Sequence, residues 1–255
     1  MTAGGGSDAE AAVALRAFDL RNIALLLDVD GTLLDIAPRP EAVVVSDDLR
    51  AILARLLTAT GGALALVSGR RVADLDRLFA PLALPAIGGH GAEMRVRPDG
   101  MAQAISPLPE ELRWMLAQAH ALDAGILVED KAYSVALHYR NAQHVEDRLV
   151  QHIAAIVARF PAEATEVLAG KAVFEVKRAG VSKGAAVRKL MACAPFAGRK
   201  PVFIGDDATD ETVFAELPSL GGAGFSVQRP FVGLAGMFSS AEALRSALKL
   251  LALKA

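Results

Sequence analysis

Two aspartates one residue apart, Asp28 and Asp30, close a run of branched apolar residues, Ile23-Ala-Leu-Leu-Leu, and lead into Gly31-Thr32-Leu33. Carboxylates rarely enter a core unless a cation, donors or solvent receive them. In an extended segment residues i and i+2 face one side, so Asp28 and Asp30 point together while Val29 faces the opposite layer. Gly31 then permits a sharp turn or the close approach of a ligand. Such an ending is either a reactive pair at the carboxyl end of a core strand or a solvated acidic turn. A second acidic group, Asp206-Asp207-Ala-Thr-Asp210-Glu211, follows another strand-like run, Pro201-Val-Phe-Ile-Gly205. Four carboxylates so close repel one another unless a cation or water screens them, and hard oxygen ligands suit Mg²⁺. A helix N-terminus would also welcome them, and the spacing is not that of an EF-hand.

Two further positions suit a negative partner, and a histidine stands beside them. Ser68-Gly69-Arg70 follows Ala63-Leu-Ala-Leu-Val67 and precedes a helical pattern. A serine hydroxyl, helix N-terminal amides and a guanidinium fork can hold phosphate oxygens there, although a capping serine beside a solvated basic pair reads the same way. Lys183 lies in the first turn of a helix capped by Ser182, where the helix dipole opposes a cation, so it needs either a negative partner or water. His90 stands among Gly88, Gly89 and Gly91, which suggests close approach of backbone to something; a lone histidine without other ligand types nearby is more often a hydrogen-bonded structural residue than a metal ligand. Strand-like segments further on carry Glu129, Lys131, His138, Arg140, Lys171 and Glu175, which suit a protected sheet edge or a surface that grips a hydroxyl-rich ligand.

The elements that must position these residues alternate. Strand 23–27, an irregular flap over Asp35 to Val45 containing Pro38 and Pro40, a helix capped by Ser46 and ended by Gly61-Gly62, strand 63–67 and a helix through Leu75 and Phe79 follow in order. Ile87 to Val96 combines flexible glycines around His90 with an alternating, strand-like pattern after them. From about Ser106 the texture changes to a helix over 107–122, strands at 125–129 and 132–140, a helix capped by Asn141 and running to Phe160, and two short strands at 167–170 and 172–176. That pattern predicts an α+β module. The strand–helix alternation then resumes with helices near 183–191, 213–217 and 241–251 and strands at 201–205 and 221–227.

The chain has 255 residues, 53% hydrophobic and 22% charged, which excludes a largely disordered protein. A net charge of −2 leaves no electrostatic footprint for nucleic acid. The single cysteine, Cys193, excludes an intrachain disulfide and a cysteine-built metal site. No stretch is long and apolar enough for a membrane span, and the first residues lack the basic start and apolar core of a signal peptide. A cytoplasmic protein with a flexible leader over residues 1–15 is expected.

Asp28-Val-Asp30-Gly31-Thr32-Leu33, Ser68, Lys183 and Asp206-Asp207 resemble, in order, the four motifs of the haloacid dehalogenase (HAD) phosphatases. Val67-Ser-Gly-Arg70, Gly89-His-Gly-Ala-Glu93, Val128-Glu-Asp-Lys131, His138-Tyr-Arg140, Glu175-Val-Lys177 and Gly205-Asp-Asp-Ala-Thr-Asp-Glu211 are similar to the trehalose-6-phosphate phosphatases. The resemblance implies a Rossmann-like doubly wound parallel-sheet core over 16–103 and 179–255, with an inserted α+β cap over 104–178. It implies Asp28 as nucleophile, Asp30 as general acid/base, and Ser68 and Lys183 on the transferring phosphoryl group. Mg²⁺ would be held by Asp28, Asp206, Asp207 or Asp210 and the backbone carbonyl of Asp30. Arg70, His90, Glu129, Lys131, Arg140 and Glu175 would contact the sugar phosphate, and no nucleic-acid or membrane partner is expected. Another sugar phosphate as substrate (sucrose phosphate, mannosylglycerate phosphate or a monosaccharide phosphate) and a non-catalytic sugar-phosphate-binding protein are the competing readings.

Overall fold

Every residue of Ile23–Leu27, strand β1, is buried, because it sits in the middle of a sheet covered on both faces. The computed structural model describes residues 7–36, 43–170 and 172–254. The chain divides into two compact units, one of residues up to Ala104 together with Ser182 onward, the other Ile105–Val181.

In the first unit β1 is joined by β2 (Leu64–Val67), β3 (Ala86–Gly88), β4 (Glu93–Arg95) and β5 (Gln103–Ala104) on one side. On the other side lie β10 (Lys200–Gly205), β11 (Ala223–Val227) and β12 (Gly236–Phe238). The strands from β12 through β3 pair in parallel, and β4 and β5 continue antiparallel. The chain runs outward from β1 to β5 and returns to β10 on the other flank. The β1–β10 seam is thus the switch point at which open α/β sheets place their ligands.

Side-chain alternation sorts the two layers. Leu25, Leu27 and Val29 pack in one cluster with residues of α2 (Asp47–Ala59) and α8 (Ala241–Leu253). Ala24 and Leu26 pack in the other with Ala186, Val187 and Leu190 of α6 (Lys183–Leu190). The same parity sends Asp28 to the α6 side, toward the helix whose first residue is Lys183. Gly184 sets how closely α6 approaches the short α7 (Glu211–Phe214), since a Cβ there would collide with the carbonyl oxygen of Thr212.

The second unit carries an antiparallel sheet in the order β6 (Leu127–Asp130), β7 (Ser134–His138), β9 (Val173–Arg178), β8 (Thr165–Gly170). Val135, Leu137, Phe174 and Val176 form its core with Leu112 and Leu116 of α4 (Glu110–Ala117) and Leu149, Ile153 and Ile156 of α5 (Glu146–Val157). Tyr139 stacks on Phe174 with ring centroids 5.1 Å apart.

Several local expectations change. The short helix that Ala11 to Asp19 could form starts and ends earlier, mostly within the leader expected over 1–15: α1 (Asp8–Arg16) is closed by a Ser7/Glu10 capping box and buries Ala11 and Leu15. Asn141 does not cap the helix after β7, because a 3-10 turn at Gln143–Val145 intervenes and α5 starts at Glu146. The glycine-rich stretch at Gly89–Gly91 separates β3 from β4, and His90 takes φ 54° there. Strand β12 was not expected. Pro38 and Pro40 of the flap, and Lys171, lie outside the described residues. Among the described residues no helix is long and apolar enough to cross a membrane.

Gly184→Ala should destabilise the protein by about 1–3 kcal/mol, the usual range for overpacking. Urea unfolding checks this, and an unchanged midpoint would mean that α6 can shift away from α7 freely.

Candidate active site

The carboxyl ends of β1, β2, β3 and β10 deliver Asp28, Ser68, His90 and Asp206 to one edge of the sheet. Asp28 is 4% exposed and anchored by its own N–H donating to the Ile204 carbonyl of β10 at 2.9 Å. Its Oδ1 accepts from Lys183 Nζ at 2.8 Å, and the same ammonium donates to Asp210 Oδ1 at 2.7 Å. Lys183 is 2% exposed and Asp210 fully buried. The misplaced cation at the start of α6 has therefore found negative partners and not water.

One ammonium cannot neutralise two buried carboxylates. Burial pushes Asp28 up to about 7 against the pull of Lys183, and Asp206 and Asp207 push the same way. Asp210 rises to about 7 through burial and then through repulsion from Asp28, again against Lys183. Lys183 is raised: burial opposes its charge, but Asp28, Asp210 and Asp207 outweigh burial. Asp206 is raised, chiefly by burial. Asp207 is lowered, since burial acts against its charge but Lys183 and the Thr209 hydroxyl prevail.

Asp206 Oδ1 accepts from the buried Thr32 hydroxyl at 2.8 Å, which ties the turn after β1 to the turn after β10. Gly31, at φ 86°, is required there because a Cβ would occupy the Asp206 carboxylate. Asp210 Oδ2 accepts from the N–H groups of Asp206 and Asp207 at 2.8 and 3.1 Å, and Asp207 Oδ1 accepts from Thr209 N and Oγ1 and Asp210 N. The acidic run is thus a folded turn in which Asp210 and Asp207 organise the backbone. Carboxylate oxygens of Asp28, Asp206 and Asp210 lie within 4.8 Å of one another, so a divalent cation could be held among them.

Ser68 is buried, and its Oγ accepts from Arg70 N at 3.1 Å. Arg70 grips Asp30 through Nε and Nη2, both at 2.7 Å, in a bidentate fork. The His90 ring lies against Gly69, whose missing side chain makes the space. Asp28, Asp30, Ser68, Arg70, His90, Lys183, Asp206, Asp207 and Asp210 are therefore all on the first unit. Thr32 has no chemistry of its own to mark it in the sequence; its place after Asp28-x-Asp30-Gly31 is the one signal of its role.

The remaining expected residues belong to the second unit. Glu129, on β6, has its carboxylate 3.6 Å from Lys131 Nζ and 3.5 Å from His138 Nε2. Glu175, on β9, accepts from the buried Ser134 hydroxyl at 2.7 Å. Register pairs Glu129 with Ala136 and Ala136 with Glu175, which puts both carboxylates on one sheet face, away from the apolar core. Arg140 is exposed beyond the end of β7.

A family model described as trehalose-phosphatase matches residues 26–239. A probable trehalose-phosphate phosphatase of Sinorhizobium fredii is 42% identical over 239 residues, 92% of this chain and 89% of that protein. Trehalose-6-phosphate phosphatase of Escherichia coli K12 is 43% identical over 208 residues, 78% of this chain and 75% of that one. The C-terminal domain of trehalose-6-phosphate phosphatase from C. albicans has the same fold, with TM-score 0.76, 21% identity and 97% of both chains covered.

Two outcomes follow from the crowded carboxylates. Lys183→Met should cost about 3–5 kcal/mol at neutral pH, because it leaves Asp28 and Asp210 buried without a counter-charge; a loss below about 1 kcal/mol in urea unfolding would contradict the burial argument. In chelated protein the folded state keeps protons on Asp28 and Asp210 that unfolded carboxyls release near 3.8, so their contribution to stability falls as pH rises from about 4 to 7. Asp28→Asn should therefore gain stability relative to wild type across that window, and a difference that stays constant with pH would exclude the raised carboxyl.

Proposed function

The chain belongs to the trehalose-phosphatase family, and from that footing we propose that it hydrolyses trehalose 6-phosphate to trehalose and phosphate through an aspartyl-phosphate intermediate. The observation that carries this reading is the meeting of Asp28, Asp206, Asp210 and Lys183 at the seam of two parallel strands.

Asp28 is assigned as the nucleophile. Its carboxylate oxygen bonds to phosphorus in line as the bond from phosphorus to the sugar oxygen breaks, and Asp30, one oxygen of which must leave the Arg70 fork to carry a proton, gives that proton to the departing sugar oxygen. Asp30 then takes a proton from water attacking the same phosphorus, which releases phosphate and restores the Asp28 carboxylate. Dividing the transfer into two displacements replaces one difficult step by two easier ones. Ser68 and Lys183 are assigned to the transferring oxygens, where fixed donors and charge meet the transition state without reorganisation.

The donor set fits Mg²⁺: hard oxygens and surplus negative charge, which the buried Lys183 ammonium offsets only in part. We assign the metal to Asp28, Asp206 and the backbone carbonyl of Asp30, with Asp207 or Asp210 supporting. Asp210 already accepts from Lys183 and two backbone N–H groups, which favours an orienting role for it. When bound, Mg²⁺ offsets the repulsion between the phosphate dianion and the attacking carboxylate. Arg70, His90, Glu129, Lys131, Arg140 and Glu175 are assigned to substrate contact, and the inserted unit to the part of a cap.

Asp28→Asn should abolish phosphate release while leaving the thermal melt and circular dichroism of a folded protein, and EDTA should silence the wild type until Mg²⁺ is restored. Undiminished turnover in Asp28→Asn would remove the assigned nucleophile. Across a panel of sugar phosphates, trehalose 6-phosphate should give the highest kcat/KM; a monosaccharide or sucrose phosphate ahead of it would overturn the substrate.

A further inference from the structure

The rim that carries these residues also holds a buried carboxylate to which the chemistry above gives no part. Glu93 of β4 is 5% exposed and stands opposite Gly88 of β3 in antiparallel register. Its Oε2 accepts from the backbone N–H of Val72 at 2.7 Å, and its Oε1 from Arg71 Nε at 3.1 Å. Val72 opens α3 (Val72–Phe79), and the cap position before it is Arg71, which as an arginine has no side-chain acceptor for the helix's first donors. Glu93 supplies that acceptor from a neighbouring strand, and its charge suits the positive end of the helix dipole. Gly88 allows the arrangement, because a Cβ there would lie 2.8 Å from both Arg70 O and Val72 N.

The junction it secures carries Arg70. The carbonyl of Arg70 accepts from Gly89 N at 2.9 Å, its N–H donates to Ser68 Oγ at 3.1 Å, and its guanidinium holds both oxygens of Asp30. Farther along, α3 has a separate clamp: Arg95, also on β4, pairs with Asp76 and donates to the carbonyl of Leu84. Loss of Glu93 therefore frees the first turn of α3 while Arg95 keeps the helix on the sheet.

We infer that Glu93 is a positioning residue for the reaction, fixing the backbone at residues 70–72 and through it the angle at which Arg70 presents Asp30. The inference rests on the reading of Asp30 as acid/base. A bidentate fork fixes the plane of a carboxylate, and small displacements of a proton-transferring group cost large factors in rate.

The test is a double-mutant cycle on trehalose 6-phosphate with Mg²⁺. Glu93→Ala should lower kcat about ten-fold and change KM less than about two-fold, while Glu93→Gln, which keeps an oxygen for Val72, stays within about three-fold of wild type. In an Arg70→Ala background, Glu93→Ala should lower kcat by less than about two-fold more, since the group through which it acts is gone. Multiplying losses, a loss confined to KM, or no loss would each overturn the inference. If Glu93→Ala does not fold, Glu93→Asp, which keeps the charge but falls one methylene short of Val72, is measured in both backgrounds by the same criterion. A wild-type protein inert towards trehalose 6-phosphate would instead overturn the functional reading, so the two failures remain distinct.

Discussion

A single buried ammonium placed between two buried carboxylates is the constraint on which the rest depends. Lys183 touches Asp28 and Asp210 and is itself closed to solvent, so each carboxylate gets only part of a counter-charge. Removing charges from water costs several kcal/mol per ion, and imperfect pairing leaves part of that cost unmet. A fold selected for stability alone would replace such a triad by apolar side chains. Its presence at a strand seam fits a centre that accepts a further cation and then an anion, each of which changes the local balance of charge.

The geometry that holds the triad is distributed over the chain. Parity along β1 sends Asp28 to the α6 layer, Gly184 lets α6 meet α7, and Asp210 ties its own turn to Lys183. The Thr32–Asp206 bond joins the turns after β1 and β10, which are adjacent in the sheet although 174 residues apart in sequence. Each acid thus has a neighbour that fixes it: Lys183 for Asp28, Arg70 for Asp30, Thr32 for Asp206. Orientation is settled before any ligand arrives, the condition under which electrostatic stabilisation of a transition state is most effective.

Much of this was legible in the residues. Buried strands declared themselves as short apolar runs, and their acidic or Ser-Gly endings pointed to the carboxyl edge, although a solvated turn or a helix cap would have read the same way until the recurrence of the motifs in order decided it. Lys183 declared itself through its conflict with the helix dipole. What stayed hidden was tertiary. No local signal says that Arg70 turns back onto Asp30, that Thr32 reaches Asp206, or that Glu93 caps a helix from another strand. The 3-10 turn that displaces Asn141 from its cap has no signal in the residue pattern, whereas the glycines around His90 mark the break between β3 and β4. The Ser7/Glu10 capping box was present in the sequence, but the glycine-rich residues before it suggested a leader.

The central claim is that Asp28 carries the phosphoryl group between substrate and water. Rapid quenching during turnover of trehalose 6-phosphate, followed by borohydride reduction and peptide mapping, tests it most directly, since an acyl phosphate is reduced to the alcohol while a free carboxylate is not. The account predicts conversion of Asp28 to homoserine, dependent on substrate and absent when Mg²⁺ is chelated. Turnover with Asp28 unmodified at every quench time, or with another residue reduced in its place, would contradict it.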